Sequence, residues 1–125
     1  MSEPLTGVVV CHRDLAPALV GAAEQITGVR GALTAVSNTD CDRGQLEERV
    51  RSAVDGRPAV VFVDMPSGSC LVATLHRLRD APGVAVVTGV NLAMLLDFLF
   101  HRELTPAEAA DRAVAVGTRA IRVPA

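Results

Sequence analysis

The chain has 125 residues, with 12 basic and 14 acidic side chains and a formal net charge of −2. Every basic residue is Arg; there is no Lys, Trp or Tyr, and Phe occurs only at 62, 98 and 100. Without Lys there is no Schiff base and no P-loop lysine, which excludes pyridoxal phosphate and Walker-type chemistry. So few aromatic rings and a slightly negative charge argue against a nucleic-acid partner, because there is no stacking platform and no broad phosphate footprint. The length fits one domain over 1–125, and the composition is neither disordered nor fibrous.

Leu5 to Cys11 is a short, almost continuous apolar run, as in a strand buried on both faces. Asp14 is placed to cap a helix in which Leu15, Leu19, Ala22, Ala23 and Ile26 recur at helical spacing, and Gly28 stops it. Ala32–Ser37 predicts a second strand. A polar loop then ends in a cap for a helix over Gln45–Val54, with Leu46, Val50, Ala53 and Val54 on one side. Ala59–Asp64 is the strongest strand signal, with its single charge, Asp64, at the carboxyl end. The turn Met65–Ser69 precedes a helix starting at Cys70, and Val84–Thr88 predicts a fourth strand. Leu92–Glu103 predicts a very apolar helix. Phe98 and Phe100 cannot share one side of it, so apolar surface is expected to remain for a partner. Thr105, Pro106 and Glu108 mark the start of a last helix running to about Gly117. Ala120–Val123 reads as a short final edge strand.

Strands alternating with helices predict an α/β fold: a doubly wound, mainly parallel sheet in the flavodoxin-like order 2-1-3-4. Ligands in such sheets bind beyond the carboxyl ends of the strands, where the strand order reverses. That point lies between the first strand, which ends in Cys11-His12, and the third, which ends in Asp64. A carboxylate that takes the proton of one imidazole nitrogen leaves the other nitrogen's lone pair outward, as a nucleophile. The N–H groups and hydroxyls of Ser67-Gly68-Ser69 stand ready for an anion such as a phosphoryl group. Asn91, after the fourth strand, faces the same edge as a second polar position.

Three stretches together carry a family likeness. Val8-Val9-Val10-Cys11-His12 leads into a helix ending at Gly28; Val61-Phe62-Val63-Asp64 leads into Met65-Pro66-Ser67-Gly68-Ser69-Cys70; and Gly89-Val90-Asn91-Leu92-Ala93-Met94-Leu95 follows the fourth strand. In these the chain resembles the IIA domain of the mannose/fructose/sorbose class of the sugar phosphotransferase system (PTS). The resemblance implies that His12 is phosphorylated by the small carrier protein HPr and hands the group to a IIB component on a separate chain. It implies that Asp64 orients the imidazole, that Gly68 and Ser69 line the phosphoryl site, and that the protein is a homodimer. The chain departs from the family at Arg13, where Gly is usual after the His. It departs again at Ser67 and Cys70 in a Gly-Gly-Ser-Pro turn, and at Ala93, usually Pro. Arg13 is placed to pair with a phosphoryl group. These changes fall where a partner would dock, which leaves a second expectation open: a regulatory module whose protein binding depends on the state of His12. A third is an unrelated small α/β domain that binds an anion in the same crevice.

His76 and His101, on helices, are expected at the surface or complementing a helix dipole. Cys11, Cys41 and Cys70 form no disulfide framework and show no metal-ligand spacing, although they approach the same sheet edge as His12; neither metal nor cofactor is expected. Met1-Ser2-Glu3-Pro4 does not open a signal peptide and no run spans a membrane, so a cytoplasmic, non-inserted protein is expected.

Overall fold

The structure is a computed structural model that describes residues 3–124; Met1 and Ser2, which open the segment read for a leader, lie outside it. Four strands, β1 (Thr6–Cys11), β2 (Leu33–Ser37), β3 (Ala59–Val63) and β4 (Val84–Thr88), form one sheet in the order β2-β1-β3-β4. All three pairings are parallel. The two continuous apolar runs became the central strands: β1 and β3 are buried at every residue. The edge strands β2 and β4 are only partly buried, as their more mixed surroundings require.

Five helices complete the chain: α1 (Leu15–Thr27), α2 (Arg43–Val54), α3 (Ser69–Leu78), α4 (Leu92–Leu99) and α5 (Pro106–Arg119). Side chains of successive strand residues point to opposite faces, which splits the core in two. Val9, Cys11, Phe62 and Val87 meet α1, α4 and α5 through Ala16, Ala23, Leu95, Phe98 and Ala113. Val8, Val10, Val61 and Val63 meet α2 and α3 through Leu46, Val50, Cys70 and Ala73. Phe62 and Phe98 pack edge to face with centroids 5.4 Å apart. Gly7 makes room for this: a Cβ there would lie 2.8 Å from the Phe98 ring and 2.5 Å from Leu33.

The helix boundaries follow local chemistry. Asp42 caps α2 in a reciprocal capping box with Gln45, and Thr105 does the same for α5 with Glu108. Gly28 closes α1 in the left-handed conformation, as expected. Three expectations are corrected. Asp14 makes no side-chain cap bond to α1. The apolar helix ends at Leu99 instead of reaching Glu103, because the chain turns at Phe100; this leaves Phe98 1% and Phe100 61% exposed. The final strand does not form. From Ala120 the chain leaves α5 unpaired, and Ile121 and Val123 stand in solvent with no strand beside them among the described residues.

Candidate functional site

The sheet register sets the site. Val10 of β1 lies level with Val63 of β3, so Cys11 falls beside Asp64 and the chain turns at His12 directly above it. The His12 backbone N–H donates to Asp64 Oδ2 at 2.9 Å, and its ring Nδ1–H donates to the same oxygen at 2.8 Å. One carboxylate oxygen therefore fixes both the position and the tautomer of the imidazole. The two residues are 52 positions apart in sequence. The His12 side chain is 37% exposed and that of Asp64 8%, so Nε2 faces the crevice while the carboxylate lies below it. The other Asp64 oxygen, Oδ1, is buried and has no hydrogen-bond partner among the described residues.

Gly68 forms the opposite wall. Its φ of 95° and ψ of −179° are available to glycine and strained for any other residue. A Cβ at this position would sit 3.8 Å from His12 Nε2 and 3.7 Å from Cε1, so the bare backbone keeps the approach to Nε2 open. Gly68 precedes α3 without a side-chain cap, which leaves the first-turn N–H groups beside the imidazole free of an internal acceptor. Ser67 and Ser69 flank it, exposed.

Arg13 takes the left-handed conformation with φ 51°. Two bonds to the β2 loop hold it: its N–H donates to Asn38 Oδ1 at 2.9 Å, and its carbonyl accepts from Ser37 Oγ at 2.6 Å. It makes no ion pair among the described residues and is exposed. Asn91, by contrast, is spent on structure. Its Oδ1 accepts the Met94 N–H at the start of α4, and its Nδ2 donates to the Gly117 carbonyl of α5, both at 3.1 Å. Gly117 permits that approach, since a Cβ there would lie 2.5 Å from Met94.

Cys70 was expected to share the edge with His12, and its Sγ lies 3.7 Å from His12 Nδ1. Cys11 is buried on the other face of β1, and Cys41 donates to the Asn38 carbonyl at 3.3 Å. Burial, and then the Asp64 carboxylate, push the Cys11 thiol up to about 12 and that of Cys70 to about 11. His76 and His101 lie away from this edge. His76 donates to Glu47 at 2.8 Å on the surface, and His101 donates from Nδ1 to the Asp97 carbonyl at 2.8 Å.

The family model for the PTS system fructose IIA component matches residues 6–115, which takes in all four strands and most of α5. The chain belongs to this family. Membership points to a phosphotransferase-type role within the sugar phosphotransferase system. Solved structures agree on the fold of this IIA chain. The PTS component EIIA of Streptococcus agalactiae is 14% identical and superposes with a TM-score of 0.88, covering 95% of this chain and 96% of that one. The mannose/sorbose-specific IIA subunit of Enterococcus faecalis is 17% identical, with a TM-score of 0.84 over 98% of this chain and 96% of its own. A sigma-54 interaction domain protein of Enterococcus faecalis is 13% identical, with a TM-score of 0.80 over the same shares. At these identities the likeness speaks for the fold alone. The sequence finds no match among curated proteins. No helix among the described residues of this IIA chain is long and apolar enough to cross a membrane.

Proposed function

We propose that this IIA chain is a phosphohistidine carrier that accepts a phosphoryl group on His12 Nε2 from phospho-HPr and passes it to a IIB component on another chain. The observation that carries this is the pair of hydrogen bonds that Asp64 Oδ2 accepts, from the His12 N–H and from Nδ1–H, with Nε2 left toward the crevice. In the transfer, the Nε2 lone pair forms the new N–P bond in line as the donor's N–P bond breaks, and the donor imidazole leaves with that electron pair. The Nδ1 proton stays against Asp64, whose negative charge offsets the positive charge that the ring acquires. That same ring charge makes phospho-His12 a good leaving group for the onward step. The α3 N–H groups, Ser67 and Ser69 supply donors to the equatorial phosphoryl oxygens, and the Arg13 guanidinium adds charge from the open side. Onward transfer serves sugar uptake in this reading, in the cytoplasm, with the carrier as a dimer.

Arg13 also favours a second reading, in which phosphorylated His12 governs binding to a protein without onward transfer. Arg13 is exposed and directly follows His12, and the fold itself is shared by proteins described in different terms.

The test uses phosphoenolpyruvate, enzyme I and a cognate HPr, with intact mass as the readout. The wild type should gain one acid-labile phosphoryl group and His12→Ala none. No gain in the wild type, or an equal gain in His12→Ala, overturns the carrier reading. A phosphorylated protein that no cognate IIB can discharge selects the regulatory reading.

A further inference from the structure

We propose that His12, Asp64 and Cys70 form a binding site for a thiophilic divalent cation of the zinc class, and that metal binding and phosphorylation of His12 exclude one another. Their ligand atoms all lie within 4.8 Å of one another. The donor set, one imidazole nitrogen, one carboxylate oxygen and one sulfur, is that of a zinc site with three protein ligands and a position left for water. From ordinary zinc bond lengths, a tetrahedral ion spaces its nitrogen and sulfur ligands about 3.6 Å apart and its nitrogen and oxygen ligands about 3.4 Å. Nδ1 and Cys70 Sγ are already 3.7 Å apart. Nδ1 and Asp64 Oδ2 are 2.8 Å apart, so the carboxylate must withdraw by about 0.6 Å.

An independent feature points to a ligand. Asp64 Oδ1 is buried without a partner, in a side chain only 8% exposed. A buried carboxylate oxygen left unbonded is costly, and a cation that draws the carboxylate round to offer Oδ1, alone or with Oδ2, would satisfy it. On binding, the Cys70 thiol releases its proton to solvent, and thiolate, carboxylate and divalent ion sum to zero.

Mutual exclusion follows from the tautomer, and this part rests on the carrier reading above. The metal takes the Nδ1 lone pair, so the ring must carry its proton on Nε2. An imidazole in that form has no lone pair on Nε2 with which to attack phosphorus. Conversely, Nε2-phosphorylated His12 with its proton on Nδ1 has no lone pair for the metal. Cys70 stands where the family's turn usually has Pro, so the site belongs to this chain's own departures from the family pattern.

The test first uses unphosphorylated, chelator-treated full-length protein titrated with Co²⁺ and then Zn²⁺. One equivalent of Co²⁺ should bind with a thiolate-to-cobalt charge-transfer band, and Zn²⁺ should displace it. The band should vanish in Cys70→Ser and persist in Cys41→Ser. Zinc affinity, read by competition with a chromophoric chelator, should fall by about tenfold or more in Cys70→Ser and in Asp64→Asn. Cys70→Ala repeats the measurement if Ser disturbs the buried position. Absence of stoichiometric uptake, or a band that survives in both Cys70 variants, overturns the site. In a second arm, one equivalent of Zn²⁺ should slow phosphorylation of the wild type by pre-formed phospho-HPr at least tenfold and leave the rate of Cys70→Ser unaltered from its own metal-free value. Equal rates with and without Zn²⁺ in the wild type overturn the exclusion. A protein that binds metal but is never phosphorylated overturns the carrier reading alone.

Discussion

Gly68 shows how much a single backbone position can decide. Its φ of 95° is in a region that side-chain-bearing residues rarely enter, and its α-carbon backs onto the face of the crevice that Nε2 must use. Gly68→Ala should therefore act twice. Backbone strain should lower stability by about 1–3 kcal/mol, read as a lower urea midpoint with an unchanged slope. The added methyl, in van der Waals contact with Nε2, should slow phosphoryl uptake beyond what the stability loss explains, measured at a temperature where the variant is fully folded. A variant that is destabilised but phosphorylated at the wild-type rate would show that Gly68 serves the turn alone. The meeting of His12 with Asp64 could be read in the sequence because each stands at the carboxyl end of a strand signal, and strand ends converge in a parallel sheet. The left-handed backbone of Arg13 could not, since the sign of φ is not written in an Arg; it appears only once Asn38 and Ser37 are seen holding both its backbone groups. Asn91 reads in the sequence only as a second polar position at the same edge, and its bonds to Met94 and Gly117 show that it caps α4 and ties it to α5. Cys70 carried no ligand signature because its partner His12 is 58 positions away.

Helix boundaries marked by a complete local chemical pattern were the easiest to locate from the sequence. Thr105-Pro106 with Glu108 predicted the start of α5 to the residue, because a capping box is a local chemical pattern. Gly28 and Val54 closed α1 and α2 as expected, but two later expectations failed for tertiary reasons. The apolar run from Leu92 continues through Phe100, but the chain turns so that Phe98 enters the core against Phe62 while Phe100 leaves it. Ala120–Val123 has strand-forming residues but leaves α5 without pairing to either edge strand of the sheet. Thr105→Ala should cost about 1 kcal/mol by removing the acceptor of the Glu108 N–H. The box also has a pH dependence. Bonds from the Thr105 backbone and side chain hold the Glu108 carboxyl below its ordinary value of 4.5. A depressed folded-state value means that the stabilisation is complete above the unfolded value and is lost as pH falls through the folded one. Acid titration followed by circular dichroism should show the wild type losing stability below about pH 4.5, and Glu108→Gln, which keeps an acceptor but does not titrate, losing less over the same interval. Parallel acid profiles would mean that the box contributes nothing through Glu108.

The molecule as a whole folds around a sheet whose two central strands are dry on both sides, and the candidate site sits where both halves of that core come to an edge. Cys11 belongs to the layer under α1, α4 and α5, Cys70 to the layer under α2 and α3, and the Asp64 charge reaches both thiols. Their titration therefore reports on the integrity of the whole core. Both thiols are pushed up, to about 12 and about 11, from an ordinary value of 9.0. Above pH 9 the unfolded chain gives up thiol protons that the folded chain keeps, so the folded state binds more protons and stability falls as pH rises. The decline should begin near pH 9 and continue until the folded thiols themselves ionise, at about 11 to 12. Urea midpoints measured across this range should fall for the wild type, and fall less for Cys11→Ala and for Cys70→Ala, each compared with its own midpoint at pH 8. Iodoacetamide at pH 8 gives the matching chemical readout: Cys41 should be alkylated in the native protein, while Cys11 and Cys70 react only at the rate at which the core opens. Rapid native-state labelling of Cys70 would mean that the wall between His12 and the α2–α3 layer opens on its own. It would also mean that the thiol beside Nδ1 is available as a nucleophile before any metal or phosphoryl group arrives.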